Sequence, residues 1–175
     1  APLEPLYGAP DIVQDMCRTA RLAGVGPMAA VAGAVSKYTG RQLLQFTDEL
    51  IVENGGDIYI KSKRDRRVLI YAGSSILSNK LALLIPGSDQ ELGVCTSSGT
   101  VGHSLSFGKA DAAVIVSRDA VLADAAATAV GNVLKNKDDI EAGIEFAMSI
   151  QGVDGAVIII GDKMGACGNI NIIKP

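Results

Sequence analysis

The sequence has no tryptophan, three phenylalanines and four tyrosines, so aromatic residues fill only 4% of its 175 positions. A protein that stacks unpaired bases on aromatic side chains is poorly supplied by such a chain. A cationic excess is missing too: 16 Lys and Arg stand against 19 Asp and Glu, giving a net charge of −3 and a pI of about 5.1. Nucleic-acid binding through a basic field is therefore not expected. The three cysteines, Cys17, Cys95 and Cys167, form no C-x-x-C pair. Structural zinc and a secreted disulfide framework both lose support, and reduced thiols in a cytoplasm fit better. Ala1–Pro10 has neither the basic start nor the apolar stretch of a signal peptide. A membrane-spanning helix is also not expected. The uncharged run from Leu22 to Ser36 contains Pro27 and is rich in alanine and glycine, well short of the ~20 strongly apolar residues that a span requires.

What the chain does have is apolar content, 48% of its residues, which rules out disorder at this low net charge. The length supports one domain. Residues 1–10, with three prolines, read as an extended arm, and residues 11–175 read as a single domain. Apolar residues at helical spacing predict a helix over Asp11–Ala23, with Asp11 as N-cap, and a second from Pro27 to about Tyr38, stopped by Gly40. The period then changes to two, predicting strands at Leu50–Asn54, Ile58–Lys61, Val68–Ala72, Lys80–Ile85 and Gly93–Thr96. A further strand is predicted at Ala112–Ser117, then helices over about Asp119–Lys135 and Asp138–Ile150, and final strands at Ala156–Ile160 and Ile170–Ile173. Clustered helices and runs of strands give an α+β class with mixed or antiparallel sheets. The order, helices then strands and again helices then strands, is compatible with two related halves.

Four segments bear on chemistry. Gly24-Val25-Gly26-Pro27-Met28-Ala29 has the spacing of a dinucleotide fingerprint, but a polar helical segment precedes it where a buried strand is required. Asn54-Gly55-Gly56-Asp57 has the composition of a type I′ hairpin turn, although its glycines would also let a ligand approach the backbone between Glu53 and Asp57. The stretch Cys95 to Ser104 mixes hydroxyl residues and glycines with the chain's only histidine, His103. Such groups hold phosphate where Lys and Arg are absent, and a solvated linker has the same composition. The last segment is the helix Val121–Val130, apolar on all sides except for Asp124. A buried carboxylate must be protonated, hydrogen-bonded or bound to a cation. Thr128 lies one turn along on the same face, and the two together are hard oxygen donors that suit Mg²⁺ or Ca²⁺ and not zinc. An Asp that accepts hydrogen bonds from a neighbouring loop is the alternative.

Taken together, Val52-Glu53-Asn54-Gly55-Gly56-Asp57-Ile58, Cys95-Thr96-Ser97-Ser98-Gly99-Thr100 and Ala123-Asp124-Ala125-Ala126-Ala127-Thr128-Ala129 resemble, in this order, the motifs of the ApbE flavin-transferase superfamily. Gly24 to Lys37, Gly93 to Ser106 and Ile158 to Lys163 are closer still to an uncharacterised prokaryotic family of ApbE-like proteins. The resemblance implies an ApbE-like α+β fold and a Mg²⁺-dependent protein that binds FAD or FMN. Its chemistry would be cleavage of the FAD pyrophosphate or transfer of FMN to a Ser/Thr of an acceptor protein. Carried over, the metal ligands are Asp124, Thr128 and the Ala29 carbonyl. The flavin nucleotide would lie against Gly55, Gly56 and Asp57 and against Thr96, Ser97, Ser98, Gly99 and Thr100, with His103 as the proton-transferring residue.

Two departures weigh on catalysis. The transferases' helix lysine is replaced in Ala29-Ala30-Val31, and their histidine motif survives only as His103-Ser104-Leu105-Ser106-Phe107, without Asp or Pro. A nucleotide-binding module without catalysis, and a structural subunit whose Ala-rich helices pack against a second copy, therefore stand beside the enzyme. The three motifs are expected to converge on one pocket, with Asp124 buried and Thr128 facing the same cleft.

Overall fold

The computed structural model describes residues 1–101 and 108–175. Helix α1 spans Asp11–Ala23, with Pro10 rather than Asp11 at its N-cap, and stops at Gly24, whose φ of 73° is left-handed. The first glycine of the apparent fingerprint is thus a helix C-cap. Pro27 opens a 3₁₀ turn, Pro27–Ala30, which leads into α2, Val31–Leu43. The helix runs beyond the expected stop at Tyr38. Gly40 does not end it, because this glycine lies where α2 crosses the Tyr59 ring, and a Cβ there would strike that ring.

Strands β1 (Leu50–Asn54), β2 (Asp57–Ser62), β3 (Arg66–Leu69), β4 (Ala82–Ile85), β5 (Ser88–Ser97) and β6 (Ala112–Ser117) precede α3 (Ala120–Val133) and α4 (Ile140–Ser149). Strands β7 (Val153–Ile160), β8 (Lys163–Gly168) and β9 (Asn171–Ile173) complete the chain. Six strands form one sheet in the order β1-β2-β5-β6-β7-β8, and β3-β4-β9 form a second. Every pairing in both sheets is antiparallel.

The sequence pattern misses β8 altogether. Its two glycines hide the strand signal, and one of them is obligatory: a Cβ at Gly165 would come within 2.5 Å of Ile140 Cγ2, where α4 lies on β8. The expected strand Val68–Ala72 shifts to Arg66–Leu69; beyond it Ile70 still donates its N–H to the Leu81 carbonyl at 2.9 Å, and Ile70 and Ala72 are buried.

The molecule has three layers. The helices cover one face of the large sheet, and the small sheet covers the other. Between helices and sheet lies a core built on Ile115, Val121, Val130, Leu134 and Ile158, with many alanines. Between the sheets lies a branched aliphatic core that includes Ile60, Leu83, Val114, Val157 and Ile159. Helix α3 is enclosed from Ala120 through Ala127 without an exposed residue, as an all-apolar helix should be. Among the described residues no helix is long and apolar enough to cross a membrane.

Sheet and helix approach closely at Gly93 in β5, where a Cβ would overlap the α3 backbone, 2.8 Å from the Ala120 nitrogen. Gly93→Ala is expected to lower stability by about 1–3 kcal/mol, the usual cost of overpacking. Urea denaturation with an unchanged m-value would establish it, and an unaltered midpoint would contradict this account of the packing.

Candidate functional site

Helix α2 buries Gly33, Ala34, Ser36, Lys37 and Gly40 after the buried Ala30 of the 3₁₀ turn, a face almost without side chains at its N-terminal end. The narrowness is required at Gly33, since a Cβ would collide with the Ala120 carbonyl and lie 2.7 Å from Asp124 Cβ. At this approach the Gly33 N–H donates to Asp124 Oδ2 at 2.8 Å. The first-turn N–H groups of a helix lack intrahelical acceptors, and α2 has no side-chain cap or acidic residue of its own at that end. Asp124, on a different helix, supplies the missing acceptor and the negative charge that the helix dipole favours.

One turn along α3, the Thr128 hydroxyl donates to the Ala29 carbonyl at 3.4 Å. A second contact ties the two helices at the far end of the same face. Lys37 Nζ donates to Asp119 Oδ1 at 2.9 Å and to Asp15 Oδ2 at 2.6 Å, while Asp119 caps α3 by accepting from the Val121 N–H at 3.1 Å.

Asp57 arrives from the sheet. Asn54 and Asp57 face each other across the β1–β2 hairpin, with Gly55 and Gly56 at φ of 65° and 100°, the two positive values that a type I′ turn needs. The Ser36 hydroxyl of α2 donates to the Asp57 carbonyl at 2.8 Å and fixes the strand start beside the helices. The Asp57 side chain is buried, and its Oδ1 has no hydrogen-bond partner among the described residues.

A cleft of about 570 Å³ opens here, lined by Ala29, Asp57, Asp124, Thr128 and Asn132, with Met28 and Val31 at its margin. Burial and the charge of Asp57 push the Asp124 carboxyl up to about 8, against hydrogen bonds from the Gly33 and Ala32 N–H groups. Burial likewise raises Asp57 to about 6, with the Cys95 thiol and the Thr96 N–H pulling the other way. The two carboxyls titrate as a pair, and both move upward. Cys95, fully buried beneath them, has its thiol raised well above its ordinary value by burial and by both carboxylates, so it is an inert packing residue.

The residues singled out in the sequence thus fall into two groups. Ala29, Asp57, Asp124 and Thr128 line one cleft; Thr96 does not line it, although its N–H favours the charged form of the Asp57 carboxyl. Gly55, Gly56, Ser97, Ser98, Gly99 and Thr100 are not among the lining residues. The two glycines shape the turn. The Ser98 hydroxyl accepts from the N–H groups of Thr100 and Val101 at 3.1 and 2.9 Å, and Thr100 donates to Asp111 Oδ1 at 2.9 Å. Of the hydroxyls expected to hold phosphate, Ser98 and Thr100 are bonded within their own surroundings. His103 lies outside the described residues.

Sequence reasoning expected the Asp57 turn and Asp124 to share a pocket, and both line one cleft. It took Asp57 as part of a turn motif at the flavin nucleotide and did not single it out as a second buried carboxylate. The signal was present: Asp57 shares a strand face with Tyr59, and both are buried on the side that α2 covers. Among the described residues no group of three or more His, Cys, Asp or Glu side chains gathers around a common point. The donors here are two carboxylates, a hydroxyl and a backbone carbonyl, a hard oxygen set that suits Mg²⁺.

The family described as AbpE bacteria matches residues 1–166. The chain belongs to this family. A UPF0280 protein of Methanocella arvoryzae is 46% identical over 170 residues, which cover 97% of this chain and 69% of that protein. Its counterpart in Methanothrix thermoacetophila is 45% identical over 174 residues, covering 97% and 71%. Among solved structures, the apo form of the Pseudomonas stutzeri flavinyl transferase ApbE has a TM-score of 0.54 at 14% identity, over 82% of this chain and 49% of that one. That likeness is one of fold: this chain shares the ApbE-like α+β architecture and spans about half the length of the transferase.

The raised carboxyls make stability depend on pH in a defined direction. Their folded values lie above the ordinary Asp value of 3.8, so between about pH 4 and pH 8 the folded state binds more protons than the unfolded chain, and stability falls as pH rises. Asp124→Asn keeps an acceptor for Gly33 and removes the charge. With EDTA present, this variant is expected to be more stable than the parent at pH 8, by on the order of a few kcal/mol, and similar to it at pH 4. Parallel urea titrations at both pH values would show this, and equal pH dependence in the two proteins would refute it.

Proposed function

We propose that the chain is a Mg²⁺-dependent flavin-nucleotide-binding protein whose chemistry is cleavage of the FAD pyrophosphate or transfer of FMN to a Ser/Thr of an acceptor protein. One observation carries the reading: two buried carboxylates, Asp57 and Asp124, line one cleft, and no Lys or Arg is among its lining residues. Such a pair needs a cation or protons to persist in a dry site. Asp124, Thr128 and the Ala29 carbonyl are the groups that would hold Mg²⁺, with Asp57 as a nearby second charge. When bound, the ion would neutralise phosphate and stabilise charge on the leaving phosphate.

The remaining roles belong to the chain. Gly33 keeps the Asp124 carboxylate aimed by its N–H, and Ser36 holds the Asp57 strand against α2. His103 is the proton donor or acceptor in this reading. The flavinyl transferase that shares the fold supports a flavin nucleotide as ligand, and a cytoplasmic setting suits the free thiols.

A second reading, a binding module without catalysis, is favoured by the sequence itself. Ala30 stands where the transferases have lysine, and Ser106 and Phe107 stand where they have Asp and Pro.

Calorimetric titration with FAD, FMN and ADP, with and without Mg²⁺, separates these readings when combined with mass detection of AMP and FMN. Mg²⁺-dependent heat with AMP release is expected for the enzyme, with turnover abolished in Asp124→Asn and reduced about 10²- to 10⁴-fold in His103→Ala. Mg²⁺-dependent heat without AMP assigns the binding module. No heat and no fluorescence change for any nucleotide defeats both.

A further inference from the structure

A second cavity, of about 300 Å³, lies at one end of the interface between the two sheets, on the face of the large sheet opposite the helices, with Ile60, Leu83, Leu92, Val116 and Ile170 among its apolar lining. Two irregularities of the large sheet meet at this point. Between β6 and β7, Val116 faces Gly155 and Ser117 faces Val153, which leaves Asp154 as an extra residue. Between β2 and β5, Ile60 faces Leu92 and Ser62 faces Ser88, so Asp89, Gln90 and Glu91 stand against Lys61 alone. Bulges bend strands and re-aim side chains, and they recur beside functional sites. Asp154 from the first irregularity and Gln90 and Glu91 from the second are polar and line the same cavity.

The charges at its rim divide cleanly. Glu91 is held by the Arg41 guanidinium at 2.8 and 3.0 Å, and Arg64 turns to Glu49 at 3.5 Å. Arg118 and Asp154 also line the cavity. Arg118 follows β6 and Asp154 is the bulged residue of β7, and neither side chain has a hydrogen bond or ion pair among the described residues. An apolar floor therefore carries at its mouth one uncommitted cation and one uncommitted anion that do not pair with each other.

We propose that this cavity binds a small apolar α-amino acid, with Arg118 receiving the carboxylate and Asp154 the ammonium group while the side chain fills the space between the sheets. The volume lies at the lower end of small-molecule sites, about 300–1,000 Å³, which selects something of amino-acid size over a nucleotide. A guanidinium is the side chain best matched to a carboxylate. The site is separate from the Asp57–Asp124 cleft and stands or falls independently of the reading given to that cleft.

The test is an amide NMR titration of the ¹⁵N-labelled chain with phenylalanine, 3-phenylpropionate and phenethylamine. Phenylalanine is expected to give saturable shifts at Ile60, Leu83, Val116 and Ile170, and to bind about tenfold more tightly than either singly charged analogue, in line with charge-assisted hydrogen bonds. Arg118 is exposed and Asp154 lies at a bulge, so both variants should retain the fold, and dispersed spectra verify this. Arg118→Ala should weaken phenylalanine about tenfold and leave phenethylamine unchanged, while Asp154→Asn should weaken phenylalanine and spare 3-phenylpropionate. No saturable shift at these amides up to about 10 mM, or equal binding by parent and Arg118→Ala, overturns the proposal.

Discussion

The contact on which the rest of the structure depends is the approach of α2 to α3 at Gly33. It satisfies a helix end and a buried carboxylate with one hydrogen bond, and each of those would otherwise be a liability. The same contact sets the register in which Ala29 meets Thr128 one turn away. Lys37, held between Asp15 and Asp119, clamps the other end of the helix pair, so α3 cannot rotate without breaking ion pairs that are themselves mostly buried. The cleft is thus a product of helix packing, and the hairpin adds Asp57 to a frame already fixed.

The sequence carried the class, most of the element order and the isolation of Asp124, because each of these is a local pattern. A carboxylate in an unbroken apolar helix is visible without any neighbour, and so is the Asn54–Asp57 turn. The hidden features are relational. That Asp124 caps a different helix depends on a glycine 91 positions away. That Asp57 opposes Asp124 depends on the β2–β5 pairing, which sets Asp57 opposite Cys95. Glycine misled in both directions. At Gly40 it looked like a stop but served the Tyr59 ring, and in β8 it erased the strand signal at the position where α4 needed room. The loop Thr96–Thr100 shows another limit. Hydroxyls read as ligand donors are equally suited to tying a turn together, and composition does not distinguish the two uses.

The all-antiparallel large sheet separates two kinds of core. On the helix side, alanines and glycines between larger residues such as Ile115, Val121 and Leu134 let the backbones of α2 and α3 approach closely around Asp124. On the small-sheet side the contacts are branched aliphatics, and a cavity lies beside the two bulges. The two cavities thereby lie on opposite faces of one sheet.

The enclosure of α3 also bears on how the molecule comes apart. It is wrapped by α1 and α2, which precede it in the chain, by β5 and β6, and by α4, which follows it. No terminal piece can peel away and carry this helix with it, so its release requires the whole assembly to separate. The floor of the cleft then belongs to the last-opening unit of the protein rather than to a locally unfolding one.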